Sequence, residues 1–230
     1  ALTQKEFSIT VTLTGEYVAN KQFAIAGTND FVTTDDQGSF TVSLKDNGSL
    51  TVVGLPEGTR FTTTENLDPV IHAGFTMDAG RSTLSGTIVK DQTVQTHVVN
   101  IYAPQAPQTK VQIGGNKILT DETGAFNWAN NSFTVSLEQY DPASGTYTPL
   151  GQKQVTASSL SYLFADEIRF SALGTYYFKV SEVIPTERID GMSYDATVGR
   201  IEVVVTDENV DGLMELTVYD FDTKQVIAPV

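Results

Sequence analysis

The sequence predicts an all-β protein made of two tandem β-sandwich domains. Threonine, valine and aromatic residues cluster in short runs. Within those runs apolar and polar residues alternate, the period of a half-buried strand. Gly, Ser, Asn and Asp interrupt the runs at roughly 8–12-residue spacing, which fits a sandwich better than a barrel.

Phe7, Ile9, Val11 and Leu13 alternate with Ser8, Thr10 and Thr12, and Gly15 ends that strand. Phe40, Val42 and Leu44 repeat the pattern. Asp46-Asn47-Gly48 is a hairpin-turn signal, followed by Leu50, Val52 and Val53 and by the turn Gly54-Leu55-Pro56-Glu57-Gly58-Thr59. Residues 61–65 form the next strand. After a loop around Asp78-Ala79-Gly80, strands at 84–89 and 93–102 complete a domain over residues 1–104. Ala103-Pro104-Gln105-Ala106-Pro107-Gln108 is an extended, semi-rigid joint. The second domain, residues 105–230, has predicted strands at 111–119, 132–138, 174–183, 200–206 and 213–219, and one helical piece at 157–167. The two halves look distantly related rather than duplicated.

Composition narrows the function. With 230 residues, 40% hydrophobic and 18% charged, the chain can bury a core. A net charge of -14 repels phosphate backbones, so nucleic acid is excluded as a partner, and solubility is the plain reading of the acidity. No run approaches the roughly 20 apolar residues of a membrane span, so no membrane insertion is expected. Neither a signal peptide nor a sorting signal at Val230 is visible, so the chain is expected to be a processed or trimmed piece of a longer one. There are no cysteines, which excludes disulfides, thiolate catalysis and Cys-ligated zinc. Extracellular all-β proteins often carry disulfides, so the chain is either cytosolic or held by another staple.

Two acids stand out. Alternation places Glu182, in Tyr176-Tyr177-Phe178-Lys179-Val180-Ser181-Glu182-Val183, among aromatic and β-branched residues, and Glu65 closes a similar strand. Burying a carboxylate is costly unless it is paired or protonated. A solvated strand face is the ordinary alternative for both. Other candidates carry less chemistry. His72 and His97 are lone and not at ligand spacing, and no metal or cofactor is expected. Asp207-Glu208-Asn209-Val210-Asp211-Gly212 lacks the 12-residue calcium-loop pattern and reads as a polar hairpin turn. No Gly-x-Ser-x-Gly elbow occurs. Trp128, in Phe126-Asn127-Trp128-Ala129, is either core or an exposed ligand platform.

The stretch from Ser43 to Glu65, with Gly-Leu-Pro-Glu-Gly-Thr-x-Phe-x-x-x-Glu at its end, resembles the isopeptide-bonded domains of Gram-positive pilins and surface adhesins. So does Val98-Val99-Asn100-Ile101-Tyr102. Residues 170–183 with Asp190-Gly191-Met192-Ser193-Tyr194-Asp195 resemble a second pilin domain type. The resemblance covers nearly the whole chain and implies Ig-like (Cna-B-type) sandwiches. In such domains a lysine on an early strand condenses with an asparagine on the last strand, and a nearby acid promotes the reaction. Glu65 and Asn100 match the promoter and acceptor of the first domain, and Lys117 and Glu182 match the lysine and promoter of the second. The missing lysine and asparagine are expected before Ala1 and after Val230, with Lys5 or Lys21 as poorer substitutes for the former. Lys117 also fits an edge-strand lysine guarding against aggregation, and Asn100 an ordinary turn residue, although it is expected mid-strand, where Asn is disfavoured.

The resemblance implies a non-enzymatic structural subunit or shaft portion, extracellular, in the cell wall or pilus of a Gram-positive bacterium. Its implied partners are neighbouring pilin subunits joined by sortase, with Lys224 as a weak candidate for the joining lysine, and a host surface ligand. The alternative function is an adhesin module binding a host protein or glycan, which a contiguous exposed aromatic patch around Trp128 or Tyr147 would favour. A sugar-binding accessory domain of a secreted carbohydrate enzyme is a third reading.

Overall fold

The computed structural model describes residues 2–107, 110–121, 127–129, 131–164 and 166–227. Gln108 of the expected joint, Phe126 beside Trp128, Ala165 of the expected helical piece and Val230 lie outside the described residues. The chain divides into two compact units, Ala1–Gln105 with Asp207–Leu213, and Ala106–Thr206 with Met214–Val230. Both are all-β, Ig-like sandwiches of antiparallel sheets. Among the described residues no helix is long and apolar enough to cross a membrane.

The first unit contains β1 (Phe7–Thr14), β2 (Gln22–Ile25), β3 (Phe31–Thr33), β4 (Ser39–Leu44), β5 (Val52–Val53), β6 (Arg60–Asn66), β7 (Phe75–Met77), β8 (Ser85–Thr87) and β9 (Asn100–Tyr102). One sheet has the order β4-β1-β6-β8, a second β3-β2-β5, and β7 pairs with β9. The alternation in β1 works as read: Phe7, Ile9 and Leu13 are buried. Leu13, Val18, Phe23, Val32, Phe40 and Phe61 form the core.

Asn47 does sit in a turn with positive φ, 56°, but the turn makes no hairpin. β4 pairs with β1 and β5 with β2, so the chain changes sheets there. The reason is that Leu50 and Val52 pack on the core from the second sheet. The chain changes sheets again before β6, and Gly54 and Gly58 take φ of 84° and 80° in that turn, a region where only glycine is unstrained. Of the strand expected at 93–102, only β9 and the Thr83–His97 bridge form. Side chains replace much of the ladder: Thr96 donates to the Thr83 carbonyl, and Ser82 accepts from the Val99 amide.

The second unit contains β10 (Gly114–Asn116), β11 (Ser132–Asp141), β12 (Thr146–Thr156), β13 (Ser161–Leu163), β14 (Gly174–Glu182), β15 (Val198–Thr206) and β16 (Glu215–Asp220). A five-stranded sheet, β12-β11-β14-β15-β16, forms one layer, and the β10-β13 ribbon belongs to the other. The core draws Val111, Ile113 and Phe164 together with Val155, Phe178 and Val203. Of the strand expected at 111–119, only β10 and a Val111–Ile168 bridge form.

The expected helix at 157–167 is replaced by β13. Leu160, Tyr162 and Phe164 all reach the core, and that period of two is a strand's rather than a helix's. β12 escaped sequence reading because Pro149 and Gly151 interrupt it. It is an edge strand, where a residue without an N–H is tolerated, and the register shifts opposite it at Leu137/Glu138. β15 and β16 pair antiparallel, so the acidic stretch at 207–212 lies in a hairpin connection.

Phe178 is 2% exposed at the centre of the second core. Phe178→Ala is expected to destabilise that unit by about 3–5 kcal/mol, measured by urea unfolding. A loss below about 1 kcal/mol would contradict this packing.

Candidate functional site

Sheet registry creates the problem that both acids must solve. Glu65 lies directly opposite Ile9, and Glu182 directly opposite Val135. Ile9 and Val135 are buried core aliphatics. Each carboxylate is thus held at the margin of an apolar core by the same strand that fills it, and needs donors within reach.

In the second unit the donor is Lys117, just beyond β10. Its Nζ donates to Glu182 Oε2 at 2.8 Å, with the two side chains only 15% and 6% exposed. The Phe133 ring lies beneath the ammonium, 5.1 Å from Nζ to centroid, and Tyr194 meets Phe133 edge-on. The Asp195 amide donates to the same Glu182 oxygen at 3.0 Å. Hydrogen bonds from Thr197 hold the Asp195 carboxyl below its ordinary range, and Lys117 adds to that. Glu182 Oε1 remains buried and without a partner.

In the first unit Glu65 meets Asn100. Asn100 Nδ2 donates to Glu65 Oε1 at 2.7 Å, joining the sheet of β6 to the β7-β9 ribbon. Asn100 opens β9 rather than standing mid-strand as expected. Glu65 Oε2 and Asn100 Oδ1 are buried and unpartnered. Neither substitute lysine serves them: Lys5 donates to the Ile71 carbonyl at 2.8 Å, and Lys21 is exposed.

These three atoms, unpartnered among the described residues, are all acceptors. In each unit a carboxylate uses one oxygen on a nitrogen donor and keeps the other for a second donor. In one unit the donor present is an amide, in the other an amine. A carboxylate with one oxygen toward each would bridge an amine and a carboxamide, the arrangement needed to pass a proton between them.

The remaining candidates are structural. His72 is buried and stacked on Phe7, its Nδ1 accepting from the Asp68 amide. Exposed His97 bridges to Thr83. Trp128 is half-buried, with its ring 6.2 Å from Phe133. Lys224 lies in the turn after β16, paired with Glu202. Sequence reading missed Phe133 and the Asp195 amide. An aromatic residue three positions before Ser136 in a strand gives no sign of its cation, and a backbone amide gives no sequence signal.

Comparison with known families adds two matches. Residues 113–227 match FctA, the Spy0128-like isopeptide containing domain. Residues 1–102 match a domain of unknown function, DUF7601. No curated protein matches the chain.

Lys117→Met leaves the Glu182 carboxylate buried without its counter-ion, and is expected to cost about 3–5 kcal/mol. Lys117→Met with Glu182→Leu removes both charges and should cost less than the single change, giving a clear coupling energy in a double-mutant cycle. Additive, sub-kilocalorie effects in urea unfolding would contradict a buried pair.

Proposed function

The chain belongs to the Spy0128-like isopeptide-containing domain family, and from that premise we propose that it is a structural subunit or shaft portion of a Gram-positive pilus or cell-wall-anchored surface protein. Autocatalytic lysine–asparagine bonds stabilise its units, Lys117 is the nucleophile of the second and Asn100 the acceptor of the first, and Glu182 and Glu65 promote the reactions. The observation that carries this reading is the set of buried, unpartnered acceptors on Glu65, Asn100 and Glu182, each beside half of the reacting pair.

The chemistry runs once per unit. The lysine Nζ, as a neutral amine, attacks the asparagine Cγ. The Nζ–Cγ bond forms, the Cγ–Nδ2 bond breaks, and ammonia leaves. The glutamate takes the proton that Nζ loses and delivers one to the departing nitrogen. Attack also requires the carboxamide oxygen to be polarised, so the reactive state has Glu65 protonated and donating to Asn100 Oδ1. That is the reverse of the Nδ2-to-Oε1 bond at rest, and it needs only rotation of the amide and the proton from lysine. Folding supplies the near-attack geometry. The Phe133 ring and the Asp195 amide fix Lys117 and Glu182 in place.

The product suits a cysteine-free shaft. Closing a loop on the order of 100 residues stabilises a fold by about 4.7 kcal/mol in the chain-entropy model, and an amide does not yield to reduction. The bond makes the protein a single-turnover reagent on itself, with no released product beyond ammonia, so no enzymatic substrate enters this reading.

The protein as its cell makes it is expected to weigh one ammonia less per bonded unit by intact-mass measurement. Glu182→Ala should restore that ammonia for the second unit and Glu65→Ala for the first, each with a fall in thermal stability. Full calculated mass in the folded wild-type protein would overturn the proposal.

A further inference from the structure

The outer face of the five-stranded sheet carries a second feature, independent of the cross-linking chemistry. Solvent-facing positions of an antiparallel sheet ordinarily hold polar residues. Here a row of rings crosses the sheet instead: Tyr147 on β12, Tyr140 on β11, Tyr177 on β14, and Phe221 in the turn after β16. Their centroids are 5.0 Å apart from Tyr147 to Tyr140, 6.4 Å from Tyr140 to Tyr177 and 5.8 Å from Tyr177 to Phe221. Together with Arg200 they line an open depression of about 230 Å³. Tyr147 is 42% exposed.

The cations around the row are paired with carboxylates. Lys179 Nζ lies 3.9 Å from the Tyr147 centroid and pairs with Glu138 at 2.8 Å. Arg200 and Lys224 approach the Phe221 ring, at 5.0 and 4.3 Å, and pair with Asp222 and Glu202. The turn that presents Phe221, Asp222 and Lys224 is itself braced: the Asp220 carboxylate accepts from the amides of Asp222 and Thr223, at 3.0 and 2.7 Å. Each of the three cations therefore faces a carboxylate, and Asp220 adds a fourth acid in the turn.

We propose that this aromatic slot binds a neutral sugar, one or two pyranose units of a glycan, stacked by its C–H face against the rings and hydrogen-bonded through its hydroxyls to the paired charges at the rim. An apolar slot with a few placed polar groups is the usual form of a small-ligand site. With every cation at the rim already paired to a carboxylate, an anion gains no net attraction. The chain's net charge of -14 repels sialylated or sulfated glycans and also a second copy of itself. A depression of this size admits a sugar ring. Donors and acceptors side by side suit vicinal hydroxyls, which use both.

The test is saturation-transfer NMR on the 230-residue chain with lactose, maltose and cellobiose as probes and sialyllactose as the charged control. Transfer to ring C–H protons of at least one neutral disaccharide is expected. Tyr147→Ala and Phe221→Ala should each weaken binding by about tenfold, the loss of one ring's contact, while Tyr147→Phe retains it. Circular dichroism establishes that each variant is folded, and if an alanine variant unfolds, competition between lactose, maltose and cellobiose for the wild-type tyrosine resonances decides instead. Four results would overturn the proposal: no transfer from any of the three disaccharides at millimolar concentration, binding unchanged in folded alanine variants, preference for sialyllactose, or a concentration-dependent dimer in ultracentrifugation that Tyr147→Ala abolishes without any sugar binding.

Discussion

A carboxylate at the edge of an apolar core must be given donors, and that requirement organises both units. Glu65 and Glu182 are committed to their places by sheet registry, because their cross-strand neighbours Ile9 and Val135 are core residues. Slipping either strand by one residue to expose the acid would turn its whole apolar set outward. The fold therefore brings a nitrogen to the acid: Asn100 by way of the β7-β9 ribbon, Lys117 by way of the segment after β10. Each solution is half complete, since one oxygen of each carboxylate has no partner among the described residues. A structure built only for stability would have filled these positions with apolar side chains of similar volume, which is often neutral or better.

The two sites look different, and the proposed chemistry gives them one common logic. On the proposed reading one unit displays the electrophile and its acid, the other the nucleophile and its acid. The glutamate is the element common to both sites. The surroundings also differ in kind. Lys117 rests on an aromatic face, which steadies the ammonium beside its carboxylate partner. The Asn100 side chain, a neutral amide, donates to Glu65.

Much of this was legible in the sequence, and the parts that were not have identifiable causes. The alternation around Phe7–Leu13 and Tyr176–Glu182 gave strands, faces and the awkward position of Glu182, because period two survives any tertiary context that buries one face. Glu65 and Asn100, and Lys117 and Glu182, were singled out together through a family resemblance, while the hydrogen bonds that join each pair required coordinates. The segment at 157–167 misled because alternating Leu160, Tyr162 and Phe164 are too few to separate a short strand from a helical turn. Asp46-Asn47-Gly48 signalled a turn correctly but could not say that the chain leaves one sheet for another, since that depends on where Leu50 and Val52 find their core. β12 was hidden by Pro149 and Gly151, which an edge strand accepts. The ring row on the outer sheet face was invisible because its members, Tyr140, Tyr147, Tyr177 and Phe221, are distant in sequence and adjacent only across the sheet.

The central claim is that Lys117 is a nucleophile rather than a salt-bridge lysine. Peptide mapping by tandem mass spectrometry of the protein from its native cell surface tests this most directly. The account predicts a branched peptide in which Lys117 Nζ is joined to an asparagine side chain, with no cleavage after Lys117 by trypsin and one ammonia missing from the summed mass. A linear peptide ending at a free, trypsin-cleaved Lys117 in the folded, mature protein would contradict it.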